Sequence, residues 1–313
     1  MINFEVHILG CGSALPTTRH NQTSQVVDLR DKLYMIDCGE GTQLQMRKQK
    51  LKFARLNHIF ISHLHGDHCF GLPGLISTMG MLGRTASLTI HAPKELESLL
   101  RPQLDFFCKG MAYEVIFNSI DTTKHALIYQ DKSVSVYSIP LNHHTPCCGF
   151  LFRETQSDRH LIRDMIDFYK IPIAKLKDVR AGEDYITDEG VLVPNSRLTH
   201  SGGVARSYAY CSDTAYAEKI IPLIENVDLL FHESTFLETE KPRAKETAHS
   251  TAKDAATIAL KASVGKLIIG HFSARYDNEG LFEEEAQRVF VNTHAVHEGE
   301  TITVESKNAG LHS

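Results

Sequence analysis

Tryptophan is absent from the 313 residues, and no apolar run approaches the ~20 residues that a membrane-crossing helix needs. The start of the chain, Met1-Ile2-Asn3-Phe4-Glu5, has neither the basic region nor the long apolar stretch of a secretory signal, so a cytoplasmic protein with no membrane partner is expected. Cysteine is sparse and unpaired in pattern. The seven (Cys11, Cys38, Cys69, Cys108, Cys147, Cys148 and Cys211) are odd in number, scattered, and never spaced C-x-x-C. They are read as reduced, mostly buried small hydrophobes. A net charge of −5 argues against a chain that coats nucleic acid through its overall charge, while leaving room for a local basic surface. No linker rich in Gly, Pro or Ser divides the chain, and no repeat or low-complexity tract is present, so a single domain over 1–313 is the economical reading.

What is present is ordinary globular composition, 42% hydrophobic and 23% charged, organised as short β-rich runs alternating with helical stretches. Runs rich in Val, Ile, Phe and Tyr predict strands over residues 4–9, 25–29, 33–36, 59–62, 88–91, 134–139, 150–153, 207–212, 229–231, 267–270 and 301–304. Helices are predicted over 41–50, 72–82, 95–100, 217–224, 251–262 and 281–290. The fifth is best marked, because Thr251 and Asp254 have the spacing of a capping box and Ala255, Ile258, Ala259 and Ala262 share one face. The stretch 154–206 interrupts the strands and lacks clean periodicity, which suggests an excursion from the core.

The densest chemistry lies in His63-Leu64-His65-Gly66-Asp67-His68, directly after an apolar strand-like run. Three imidazoles and a carboxylate within six residues are ligands that borderline cations such as zinc prefer, and ligands for two adjacent sites suggest a binuclear centre. Chance placement would give the pattern with a probability of roughly three in a thousand. Other polar residues also fall just past apolar runs: His143, Asp213, His232 with Glu233, and His271. Ligands gathered from the ends of several strands are how a sheet builds a site along one edge.

At these residues the chain resembles the metallo-β-lactamase superfamily and, within it, the bacterial ribonuclease Z family, endonucleases that remove the 3′ trailer of precursor transfer RNA. The resemblance covers nearly the whole chain. It includes Leu9-Gly10-Cys11-Gly12-Ser13-Ala14, Asp37-Cys38-Gly39-Glu40-Gly41-Thr42-Gln43, the histidine motif, and Gly71-Leu72-Pro73-Gly74-Leu75. Further on come Cys211-Ser212-Asp213-Thr214, His232-Glu233-Ser234-Thr235-Phe236, His249-Ser250-Thr251-Ala252 and Gly270-His271-Phe272-Ser273.

The resemblance implies an αββα sandwich, two mixed sheets flanked by helices, with an inserted substrate-binding arm at about 154–206. It implies two zinc ions, one held by His63, His65 and His143, the other by Asp67, His68 and His271, with Asp213 bridging. Asp67 is then the proton acceptor for the attacking water, and His249, oriented by Glu233, the general acid. Precursor transfer RNA is the implied partner and a homodimer the implied assembly. Phosphate contacts are expected from Arg159, Arg163, Lys170, Lys175, Lys177 and Arg180. Where bacterial members commonly carry a Pro-x-Lys-x-Arg-Asn loop, this chain reads Pro16-Thr17-Thr18-Arg19-His20-Asn21, and its arm reads Lys170-Ile171-Pro172-Ile173-Ala174-Lys175 where a Gly-Pro-rich tip is usual. The alternatives are a same-fold hydrolase of small phosphodiesters or sulfate esters and a non-catalytic RNA-binding member of the fold.

Overall fold

The β-branched and aromatic runs pair into two seven-stranded sheets, each mixing parallel and antiparallel neighbours. The computed structural model describes residues 3–156 and 158–307. They form two units, residues 3–153 with 206–305, and residues 154–205 (157 aside) with 306–307. In the larger unit the first sheet runs, in spatial order, Thr301–Thr303, Phe4–Gly10, Ser24–Leu29, Lys32–Ile36, Leu56–Phe60, Leu88–Ala92 and Val115–Ser119. The second runs Thr293–Ala295, Lys266–Gly270, Leu229–Glu233, Ser207–Cys211, Cys148–Glu154, Val134–Pro140 and Leu127–Gln130.

Alternation along the strands decides which core each side chain enters. Phe4, Val6 and Ile8, with Val27, Leu29, Tyr34 and Ile36, meet Phe150, Phe152, Tyr208, Tyr210 and Phe231 of the second sheet in one buried cluster. The opposite faces of the same strands, through Leu9, Val26, Leu33 and Met35, pack on Met46, Leu72, Leu75, Ile76 and Leu96 of the helices Thr42–Lys48, Leu72–Met81 and Glu95–Phe107. Ala255, Ile258 and Ala259 of the helix Ala252–Lys261 join the second sheet's side of the core. The layers are therefore helix, sheet, sheet, helix, as expected. Lys32–Ile36 and Leu56–Phe60 are parallel, and so are Ser207–Cys211, Leu229–Glu233 and Lys266–Gly270. Their carboxyl ends deliver Asp37, His63, Asp213, Glu233 and His271.

Three strands of the two large sheets lacked a sequence signal: Val115–Ser119, Leu127–Gln130 and Thr293–Ala295. Each is the outermost strand of its sheet, and two of them are mostly exposed, so they carry no apolar alternation. The segment expected as a helix over 217–224 is instead a 3₁₀ stretch, Glu218–Leu223, containing Pro222, which removes a backbone donor. Conversely, the helix expected to end at residue 100 runs on through Pro102 to Phe107, because Leu96, Leu100 and Leu104 continue one buried face. Among the described residues no helix is long and apolar enough to cross a membrane. All seven cysteines are free and buried.

The smaller unit has its own core of Ile166, Ile171, Val179, Val193 and Leu198. Two short hairpin-like pairings frame it, His160–Leu161 with Thr199–His200 and Tyr185–Ile186 with Leu192–Val193.

The capping box at Thr251 is formed in both directions, with Thr251 Oγ1 accepting from Asp254 N at 3.1 Å and Thr251 N donating to Asp254 Oδ2 at 3.2 Å. Thr251→Ala should lower stability by about 1–2 kcal/mol. Urea unfolding will read this as a lower midpoint at constant slope, and an unchanged midpoint would mean the cap contributes nothing.

Candidate metal centre

Seven polar side chains from four chain segments converge at the strand ends of the two sheets. His63, His65, His143 and Asp213 form one group, Asp67, His68 and His271 another, each with ligand atoms mutually within 4.8 Å. Asp213 faces both. Its Oδ2 lies 3.6 Å from His63 Nε2 and 3.8 Å from His143 Nε2, while its Oδ1 lies 3.2 Å from the Nε2 atoms of His68 and His271. Asp67 Oδ2 closes the second group at 3.3 Å from His68 Nε2 and 3.7 Å from His271 Nε2.

The outer ring nitrogens of His68, His143 and His271 each have a partner, which fixes their tautomers. His68 Nδ1 donates to Asp37 Oδ2 at 2.8 Å, and His143 Nδ1 to the Ala248 carbonyl at 3.0 Å. His271 Nδ1 donates to Thr235 Oγ1 at 3.0 Å, since that hydroxyl already gives its proton to Glu233 Oε2. The inner Nε2 atoms of His68, His143 and His271 are buried and have no hydrogen-bond partner. His63 Nε2 and His65 Nδ1 meet at 2.9 Å. Lone pairs left unpaired in a dry site, beside two carboxylates, are costly unless something positive fills the space between them. Imidazole nitrogen and carboxylate oxygen are the donor set for zinc and similar divalent cations, and these residues fit such a pair.

Electrostatics point the same way. Burial, with the charge on His68 and on neighbouring imidazoles, holds His63 well below the ordinary histidine pKa, and burial lowers His143. Burial opposes charge on His68 too, yet Asp213, Asp37 and Asp67 hold it well above the ordinary value. Burial alone would raise Asp67 and Asp213, but His68 and His271 hold both well below the usual carboxylate range. The site thus attracts positive charge between its carboxylates.

The backbone is strained to present these groups. Asp37, Asp213 and His271 have φ of 55°, 61° and 63°, a left-handed conformation that costs about 1–3 kcal/mol per residue outside glycine. Gly39 does not turn there. It permits close approach, because a Cβ would sit 2.6 Å from the Asp67 carbonyl oxygen.

Glu233 stands beside the metal-ligand candidates, and His249, bonded to it, also lies within 4.8 Å of the ligand atoms of Asp213 and His271. Glu233 is fully buried, and its Oε1 accepts from His249 Nδ1 at 2.7 Å and from Thr214 N at 2.8 Å. Burial would lower the pKa of His249, but the Glu233 carboxylate outweighs it and raises the value to about 9. His249 also stacks on His271 with ring centres 5.4 Å apart. His144, by contrast, bonds the Glu246 carbonyl at 3.0 Å, and His232 bonds the Glu233 carbonyl at 2.8 Å; neither joins the ligand groups.

A cavity of about 740 Å³ opens over His65, Asp67, Asp213, His249 and His271, with Arg243 and Arg275 in its walls. These two arginines were not picked out from the sequence, nor were Asp37 and Thr235 as orienting groups. Asp37 follows the strand Lys32–Ile36, so the rule that drew attention to His63 and Asp213 applies to it equally. The six basic residues expected to bind substrate belong to the smaller unit. There Arg159 is turned inward to Thr199 Oγ1 at 2.6 Å, and Lys175 and Arg180 pair with Asp178 and Asp158. Arg163, Lys170 and Lys177 are exposed, with no ion pair among the described residues.

Comparisons with known proteins show which family the chain belongs to. Residues 4–170 match a family model described as Anti-Pycsar protein Apyc1. A protein of Parabacteroides distasonis named Ribonuclease Z is 60% identical over 304 residues, 97% of this chain and 100% of its own. One of Azobacteroides pseudotrichonymphae with the same name is 48% identical over 293 residues, 94% of this chain and 96% of its own. Among solved structures, human tRNase Z, short form, shares the fold with a TM-score of 0.70 at 22% identity, covering 96% of this chain and 99% of that one.

In chelator-treated protein, the Glu233–His249 pair should have a definite pH signature. Because the folded pKa of His249 is raised above its ordinary 6.5, the stabilisation is fully present below about pH 6.5 and is lost as pH rises through about 9. The urea midpoints of wild type and Glu233→Gln should therefore lie further apart at pH 6 than at pH 9.5, and a gap independent of pH would contradict the pairing.

Proposed function

The chain belongs to the ribonuclease Z family and, over residues 4–170, to the family of the Apyc1 model, and on that premise we propose that it is a zinc-dependent endoribonuclease that removes the 3′ trailer from precursor transfer RNA. The observation that carries the reading is Asp213, whose two oxygens face two separate ligand groups. His63, His65 and His143 would hold one zinc, Asp67, His68 and His271 the second, and Asp213 would bridge them. Bound there, the ion pair would lower the pKa of a shared water toward neutrality and draw charge from a phosphodiester oxygen.

The remaining steps fall to the chain's own groups. Asp67 accepts the proton of the attacking water. His249, charged through its bond to Glu233, gives its Nε2 proton to the departing ribose 3′ oxygen, so the transfer RNA is released with a 3′-hydroxyl and the trailer keeps the phosphate. Arg243 and Arg275 line the cavity and suit the flanking phosphates of an anionic chain. The exposed cations Arg163, Lys170 and Lys177 suit more distant contacts, and we assign the segment of about 154–206 as an arm that grips transfer RNA. A homodimer acting in the cytoplasm completes the reading.

The direct test is incubation with 3′-extended precursor transfer RNA and with a chromogenic small phosphodiester. Chelator should abolish both activities and zinc restore them, elemental analysis should give about two zinc per chain, and Asp213→Ala should lose both ions together. A D213A protein with full metal content and activity would refute the bridge. Neutralising Arg163, Lys170 and Lys177 together should impair only the RNA reaction.

His249→Ala separates binding from chemistry. It should keep the metals while slowing RNA cleavage by about 10²–10⁴-fold, whereas loss of zinc on this change would make His249 a ligand.

A further inference from the structure

A second groove, of about 620 Å³, opens near the carboxyl ends of the helices Thr42–Lys48 and Leu72–Met81, away from the residues of the metal centre. Leu51, Phe53, Met79 and Leu82 give it an apolar floor. Arg47, Lys50, Lys52 and Arg84 line it as well, and no acidic side chain does. None of these four cations forms an ion pair among the described residues, although the surface elsewhere pairs its charges readily, as at Arg55–Asp28 and Lys124–Asp121.

Arg84 is the unusual member. The residue is only 9% exposed. The guanidinium donates to Asn57 Oδ1 at 2.7 Å, to the Ser87 carbonyl at 2.6 Å and to the Phe53 carbonyl at 3.5 Å, all of them neutral acceptors. Its Nε is buried without any partner. Its charge meets only neutral acceptors and the Tyr113 ring, 5.4 Å away, with no carboxylate, and two exposed lysines and an arginine beside it add to the local positive potential. An anion would resolve the imbalance. A bare inorganic anion, however, would fill little of the groove and leave its floor wet.

We propose that this groove binds a nucleotide, with its phosphate among Arg84, Lys50 and Lys52 and its base against the floor at Phe53 and Leu82. Arginine and lysine suit phosphate, and an aromatic ring beside aliphatic carbons accepts any base face without demanding a particular sequence. Phosphate and base are present both in a free mononucleotide and in an RNA chain, so the two sources are separated by experiment. The proposal does not depend on the endonuclease reading, since it concerns binding without turnover.

The test is lysine acetylation of the full-length protein, read by mass spectrometry, in the presence of AMP, inorganic phosphate or a short single-stranded RNA. Lys124, exposed elsewhere on the surface, serves as control. AMP should protect Lys50 and Lys52 and leave Lys124 unchanged. Lys50→Glu with Lys52→Glu, both at exposed positions, should keep the fold and the turnover of a small phosphodiester. Calorimetry should find AMP binding weakened about 10-fold or more, the loss expected for charge-assisted bonds. Protection by RNA but not by AMP would support the site with an RNA chain as its source. Protection by inorganic phosphate equal to that by AMP, or no protection by AMP or RNA, would overturn the proposal. Because the footprint is read at these two lysines, its failure would leave the catalytic reading untouched, and loss of RNA cleavage would leave the footprint intact.

Discussion

One buried carboxylate holds the two sheets to a common geometry at the metal centre. Asp37, at the end of a first-sheet strand, accepts from Ser62 N and Oγ at 2.8 and 2.9 Å, from His68 Nδ1 at 2.8 Å, and from Tyr210 OH of the second sheet at 2.8 Å. Four donors from three residues offset the loss of hydration of this fully buried group, and each residue is held in place by it. Ser62 places His63, its immediate neighbour. The bond to His68 selects the tautomer that turns Nε2 toward Asp67 and Asp213. The bond to Tyr210 ties the strand leading to Asp213 into the same knot. Ligand positions from both halves of the sandwich thus depend on a residue that is not itself a ligand candidate.

Glu233 does for the other side what Asp37 does for the first. Its Oε2 accepts from Thr235 N, Thr235 Oγ1 and Ser250 N, and Oε1 takes Thr214 N and His249. Through Thr235 it also determines the tautomer of His271. The charge on the proposed acid and the lone pair of a proposed ligand are therefore set by one carboxylate, so a change at Glu233 acts on both. This links chemistry to metal geometry without any direct bond between them.

How much of this was legible in the sequence depended on whether a feature was local. The motif from His63 to His68 could be read because its ligands are adjacent in the chain and follow a strand that is buried on both faces. The central strands could be read because they carry unbroken apolar runs, but their assembly into a sandwich came from family resemblance. Asp213 and His271 were recognisable only as polar residues past a strand end, a weak signal on its own, and their roles came from family resemblance. Asp37 and Thr235 escaped because orientation is created by the meeting of distant segments, which no spacing encodes. Edge strands such as Leu127–Gln130 escaped for a different reason, since one side faces water and the apolar pattern fades. The arm's six basic residues looked alike in sequence, and only packing separates the inward Arg159 from the exposed Lys177.

The left-handed backbone at Asp37, Asp213 and His271 also bears on how such a protein diverges. At these positions a β-branched replacement would remove a polar group and clash with its own backbone in the same step, whereas asparagine or glycine tolerates the conformation. A lineage that abandons the metals while keeping its sandwich therefore has few residues to choose from at these three positions. Decay of the centre should accordingly leave a narrow, recognisable scar of Asn and Gly at the strand ends, long after the histidines themselves have drifted.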